Sequence, residues 1–193
     1  NRVNTLPDTV TARPDKFVTA TTYTGNGGTQ SINVGLKPDF VWLKARTEAD
    51  WHLLMDTVRG DTSALFSNST QAAETTNGTS QLITSFDDNG FTVVQDNTSY
   101  PGTSHNQNSQ SLVAWTWKAG GNSNTFNIDG VGYASAAAAG LDGGNISPVA
   151  ASVGTKQGFS IIQYQGNGSA NQSISHGLTQ APDFSIIKNV DGT

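Results

Sequence analysis

The sequence predicts an all-β protein, an antiparallel β-sandwich or jelly roll, and three observations predict it. Apolar and polar residues alternate over short runs, the runs are punctuated by Gly- and Asn-rich turns, and no long stretch repeats at the helical period. The best helix candidate, residues 69–74, is too short to hold itself together.

In chain order, residues 1–13 form a polar arm suited to an extended path, with Pro7 inside it and Pro14 directly after it. Residues 17–23 are rich in β-branched and aromatic types, and Gly25-Asn26-Gly27-Gly28 then breaks the run as a turn. In residues 39–46, Phe40, Trp42 and Lys44 lie on one face and Val41, Leu43 and Ala45 on the other, so both faces are apolar, as in a strand central to a sandwich. Residues 51–58 read as its partner, closed by Arg59-Gly60. Residues 81–86 and 91–95 flank Asp87-Asp88-Asn89-Gly90, whose Asn-Gly ending is a hairpin signal. Residues 111–118 set Leu112, Ala114 and Thr116 against Val113, Trp115 and Trp117, and stop at Gly120-Gly121. Residues 122–157 are rich in Gly, Ala, Ser and Asn and read as a connector with one or two strands. The expected organisation is thus an arm over 1–13, a sandwich module over 14–121, the connector over 122–157, and the first strands of a second module over 158–193.

Composition narrows the functional classes. The chain has 193 residues, a formal charge of −5, and only 13% charged residues against about 25% in ordinary domains. Twenty-one glycines and many Ser, Thr, Asn and Gln residues give a wet, weakly charged surface that suits extracellular or virion β-proteins. Without cysteine there is no disulfide, no thiolate nucleophile and no Cys-ligated zinc. Between Gly60 and Thr155 the only Lys or Arg is Lys118, so there is no basic stripe to hold a phosphate backbone and no nucleic-acid partner is expected. No apolar run reaches the length of a membrane helix, and no membrane insertion is expected.

An internal repeat carries the most information. Tyr23-Thr24-Gly25-Asn26-Gly27 matches Tyr164-Gln165-Gly166-Asn167-Gly168, and Gln30-Ser31-Ile32 matches Gln172-Ser173-Ile174. Gly35-Leu36 matches Gly177-Leu178, Pro38-Asp39-Phe40 matches Pro182-Asp183-Phe184, Lys44 matches Lys188, and Phe17 matches Phe159. The offset is 141 residues at Tyr23 and 144 at Phe40, a domain-sized period. The second copy runs to Thr193 without counterparts of Trp51, the D-D-N-G turn or the A-W-T-W-K strand, so the chain is expected to be a piece of something longer, or residues 158–193 to pair with another element.

The blocks Y-T-G-N-G-G-T-Q-S-I (residues 23–32), K-P-D-F-V-W-L-K (37–44), D-T-V-R-G (56–60), S-F-D-D-N-G-F (85–91) and V-A-W-T-W-K-A-G-G (113–121) resemble a repeated module of bacteriophage tail fibres, met chiefly in phages of marine and freshwater bacteria. The resemblance covers nearly everything from Lys16 onward, including the connector; the arm before Pro14 has no counterpart in it. It implies a β-sandwich similar to concanavalin-type lectins, built into long, often trimeric, virion appendages. The expected function is therefore a non-enzymatic tail-fibre segment on the virion, a homo-oligomer with other virion proteins as partners and host-surface glycan contacts through its polar loops. A phage adaptor or head-decoration scaffold, and a carbohydrate-binding module or bacterial adhesin, are the alternatives.

Individual residues fit that picture. Trp42, Trp51, Trp115 and Trp117 are expected in the core, where each aromatic ring buries on the order of 150–250 Å²; Trp115 and Trp117 share a strand face, so both are core or both form a sugar-stacking platform. Asp56 and Arg59 are candidates either for a structural ion pair or for presenting a guanidinium fork to a ligand acid. Asp87-Asp88-Asn89-Gly90 falls short of a calcium loop, and His52, His105 and His176 lack metal-ligand spacing, so no metal or cofactor is expected. There is no G-x-S-x-G elbow, and Glu48 and Glu74, the only glutamates, sit in polar loops where nothing would raise a pKa for glycoside hydrolysis; no catalytic residue is expected. The polar loops 47–50, 67–80 and 96–110 are the candidate recognition surface, with Tyr100 and His105 the side chains best able to bind there.

Overall fold

The computed structural model describes residues 13–75, 82–95, 105–121 and 124–192. After a 3-10 turn at Pro14–Lys16, the strands in chain order are β1 (Val18–Thr24), β2 (Thr29–Asn33), β3 (Phe40–Ala45), β4 (Leu53–Asp56), β5 (Gly60–Phe66), β6 (Glu74–Thr75), β7 (Ile83–Asp87), β8 (Gly90–Val94), β9 (Ser111–Trp117), β10 (Phe126–Ile128), β11 (Val131–Tyr133), β12 (Pro148–Gly154) and β13 (Phe159–Tyr164). The protein is all-β.

Two antiparallel sheets enclose the main core. One runs β1-β9-β3-β4-β5-β6 and the other β2-β8-β7. The alternation in β3 sends Val41 and Leu43 inward to zero exposure, where they meet Leu53, Met55 and Phe66 of their own sheet and Ile32, Ile83, Phe91 and Val93 of the facing one. Each such side chain contributes roughly 1.5–3 kcal/mol by leaving water, so this interface carries most of the stability.

Some local detail lay beyond the sequence reading. Residues 69–73 are not helical, in keeping with their short run, and Glu74–Thr75 forms the short strand β6. β5, which shows little alternation, follows Arg59 directly; its register is set by antiparallel pairing with β4, Leu53 opposite Phe66 and Leu54 opposite Leu65. The β7–β8 hairpin forms where expected, but its two-residue loop is Asp88-Asn89, and neither residue has a positive φ. Gly90 is required for a different reason: a Cβ there would lie 1.8 Å from the Ile32 carbonyl oxygen, where β2 crosses close beside β8.

Residues 122–157 are more than a connector. Three strands, β10, β11 and β12, join β13 in a sheet ordered β11-β10-β12-β13, in which only the β10–β12 pair is parallel. Phe126, Ala136, Leu141, Ala151 and Val153 give this sheet its own small core. Buried polar bonds tie it to the larger unit: Gly120 N–H donates to Ser152 Oγ at 2.9 Å, Ser152 donates to Asn127 Oδ1 at 3.0 Å, and Gln157 Nε2 donates to the Lys118 and Ala119 carbonyls. Phe159 stacks on Trp117 with ring centroids 5.8 Å apart.

The two repeat copies share local geometry only in part. Asn26 Oδ1 accepts the Gly28 N–H and Asn167 Oδ1 accepts the Ser169 N–H, and Gly27 and Gly168 both take positive φ, as do Gly35 and Gly177. Beyond Tyr164 the paths diverge: the match to β2 makes one isolated bridge, Ile174 to Ile146, and the match to β3, residues 184–188, is not a strand.

Candidate functional site

The outward face of the larger sheet carries a row of aromatic rings. Register places Trp42 of β3 opposite Trp115 of β9, and Phe40 opposite Trp117. Trp42 and Trp115 meet edge to face at 6.0 Å, Trp42 lies 6.3 Å from the His52 ring, and Phe40 reaches both Trp117 and Phe159. On the other side of Trp115 the β1 partner is Ala20, too small to cover an indole, so Trp115 keeps 36% of its surface exposed. Burial and the charge of Lys44 hold His52 below its ordinary pKa, which favours its neutral form. Thr22, exposed on β1, flanks the row with a hydroxyl. An aromatic face edged by the Thr22 hydroxyl and the Lys44 ammonium can stack on the C–H faces of a pyranose while donating to its oxygens.

The expectation that the tryptophans form the core therefore holds for Trp51 alone, which packs against the main cluster and meets Phe66 at 5.1 Å. Trp42, Trp115 and Trp117 lie on the opposite face. A strand apolar on both sides gives no pattern from which to tell inside from outside; here the small, exposed Ala20 leaves one side uncovered.

The residues singled out for ligand contact are placed differently. Asp56 and Arg59 form an internal ion pair at 2.6 Å, their side chains only 5% and 9% exposed. Asp56 Oδ1 also accepts the Val58 and Arg59 N–H groups, while Arg59 donates to the Leu54 and Ser63 carbonyls. The pair is the structural alternative: it holds the β4–β5 turn and presents no fork to solvent. His105 is fully buried, its Nε2 2.7 Å from the Trp51 carbonyl oxygen. It does not sit on a loop surface, because residues 105–110 fold back on the β1–β2 turn, with Gly27 N–H donating to Asn106 O and Ser109 N–H to Gly25 O. Tyr100 lies outside the described residues. Of the polar loops, residues 47–49 are exposed, whereas Ser69 and Gln71 offer their carbonyls to Lys188 and Ala73 donates to Val190. In the D-D-N-G turn Asp87 accepts from Thr92 and Asp88 pairs with Lys37 at 3.5 Å.

Asp39 was not among the candidates, yet it is a buried carboxylate that ties three segments together. It is 1% exposed and accepts from the N–H groups of Ala119 and Gly121 and from the Thr57 hydroxyl. Burial raises its pKa, opposed by those donors and by the charge of Lys118. The signal was its recurrence as Asp183 in the second P-D-F block. A shallow pocket of ≈ 180 Å³ lies between Pro14, Trp117 and Phe159, well under the roughly 300–1,000 Å³ of small-molecule sites. The geometry therefore offers an open stacking face.

The chain belongs to the family described as a domain of unknown function (DUF7483), whose model matches residues 13–193. No curated protein and no solved structure matches it.

Proposed function

We propose that this protein is a non-enzymatic segment of a phage tail fibre, a virion structural protein that contacts host-surface glycan. The observation that carries the reading is the domain-sized repeat, built from blocks that resemble those of tail-fibre modules. Repeated modules lengthen a fibre, and several copies in a trimer turn weak contacts into avidity. The glycan contact is assigned to the Trp42–Trp115 face in place of the buried His105 and the Asp56–Arg59 pair. Exposure of Trp115 equally favours a second reading, a carbohydrate-binding module or adhesin outside a virion.

Mass measurement in solution with negative-stain imaging tests the assembly: a trimeric rod is expected, and a compact monomer would count against the fibre. A glycan array probed with the wild type and with Trp115→Ala tests the contact. Binding that Trp115→Ala abolishes is expected, while a blank array for both would favour a scaffold such as an adaptor or head-decoration protein.

A further inference from the structure

We infer that the Trp42–Trp115 face takes an anionic oligosaccharide, its pyranose rings lying on Trp115 and its carboxylates meeting Lys44 and Arg46. The inference rests on the glycan contact proposed above and adds to it the charge of the ligand.

Register lays out a track along the sheet. Lys44 follows Trp42 on the outward side of β3 and sits opposite Val113, one pair along from Trp42 and Trp115. Thr22 lies beyond Val113 on β1. Arg46 comes next: its N–H donates to Ser111 O just past the strand end, so the alternation continues and its side chain shares the face. That side chain leans toward β9, with Nη1 3.4 Å from Ser111 Oγ. Two residues of a strand advance about 6.8 Å, so the path from Trp42 to Arg46 is about 13–14 Å, longer than one pyranose. One end of it is aromatic and the other cationic.

Both cations are set in place without an acid of their own. Lys44 Nζ donates to the Ala45 carbonyl at 2.7 Å and to the Glu48 carbonyl at 3.0 Å, which fixes the ammonium and leaves one of its three donors over. Burial and the charge of this ammonium hold the His52 pKa down, and the His52 ring lies 6.3 Å from Trp42, so the cation borders the aromatic row. Arg13, Lys37 and Arg59 each pair with a carboxylate, whereas neither Lys44 nor Arg46 does so among the described residues. The acids of the adjoining loop do not fill that role. Asp50 accepts from Gln110, and the part of Glu48 that meets Lys44 is its carbonyl. In a chain of formal charge −5, two like charges side by side on one face repel each other, and a bound anion relieves that repulsion. A guanidinium beside an ammonium suits a carboxylate, which takes the fork in two parallel bonds. The pyranose that carries it offers its C–H face to Trp115.

Titration of oligogalacturonates and oligomannuronates into the full chain, each beside its methyl ester, removes the charge while keeping the rings, with calorimetry as the readout. The acid of at least one series is expected to bind about tenfold or more tighter than its ester, an advantage that shrinks as salt is added. Arg46→Gln changes an exposed side chain, so its melting curve should stay in place while the advantage of the acid falls several-fold. Lys44→Met is expected to lower it too, with some loss of stability, because the Ala45 and Glu48 carbonyls lose their donor. Trp115→Ala is expected to abolish binding of acid and ester alike. Equal, Trp115-dependent binding of acid and ester would overturn the inference and leave the glycan contact standing. A preference for the acid that survives both Arg46→Gln and Lys44→Met, or that survives Trp115→Ala, would overturn it as well. So would the absence of saturable binding at millimolar sugar, and the glycan array then decides separately whether sugar contact falls with it.

Discussion

Asp39 Oδ2 accepts the backbone N–H of Ala119 at 2.6 Å across eighty residues of sequence, fixing the exit of β9 to the entry of β3. Gly121 N–H reaches the same oxygen at 3.1 Å. Asp39→Ala leaves both buried donors without an acceptor and is expected to cost about 2–4 kcal/mol in urea unfolding at pH 7. Asp39→Asn is expected to be milder, because its amide oxygen can face the two N–H groups while its NH₂ donates to Thr57. Equal losses in the two variants would show that the latch acts through charge.

The same carboxylate makes stability depend on pH. Burial lifts the Asp39 pKa above its ordinary value, so the native state holds this proton where the unfolded chain has lost it. That contribution is complete below the unfolded pKa and is lost as pH rises through the native one. Relative to Asp39→Asn, which does not titrate there, the wild type is therefore expected to gain stability on acidification from neutral pH through that window. A difference between the two that stays constant with pH would contradict the assignment.

Arg59 is the cationic partner of Asp56, a carboxylate that is almost wholly buried. Arg59→Ala strands Asp56 and is expected to cost about 3–5 kcal/mol. Adding Asp56→Ala should cost less than the sum of the single changes, since the stranded charge is then gone. Additive losses in thermal or urea unfolding would mean that the ion pair contributes little.

The tryptophans separate by face. Trp51→Ala opens a hole beside Phe66 and is expected to cost about 3–5 kcal/mol. Trp115→Ala removes an exposed ring and its edge contact with Trp42, worth about 0.5–1.5 kcal/mol. Melting curves of the two variants should differ widely, and similar curves would place both rings in the core.

Gly90 is held by crowding. A methyl group there meets the Ile32 carbonyl and pushes β2 from β8, so Gly90→Ala is expected to lose about 1–3 kcal/mol. Hydrogen exchange should show the loss first in the amides of Thr29–Asn33.

The strands bounded by turn signals were legible in the sequence to within a residue or two. Neither β3 nor β9 tells which face is inward, but both declare themselves as short aromatic and aliphatic runs, and the β7–β8 hairpin declares itself by its Asn-Gly signal. β5 does not, since Asp61, Thr62 and Ser63 bury nothing themselves and are carried by the pairing of Leu65 and Phe66 with β4. The site was less legible for two reasons. An indole looks alike on either face of a sheet, so the inward reading of Trp115 had nothing to oppose it but the size of Ala20. His105 belongs to a polar loop by composition, and its Trp51 carbonyl partner is distant in sequence.

Gly120-Gly121 would by itself read as a swivel between the large and small sheets. Asp39 and Ser152 hold the N–H groups of the pair and of Ala119, Gln157 holds the Ala119 carbonyl, and Phe159 lies flat on Trp117 nearby. The joint is thereby a weld: torque applied to the small sheet passes lengthwise into β9 and β3 as shear, a loading direction in which many ladder bonds must fail together.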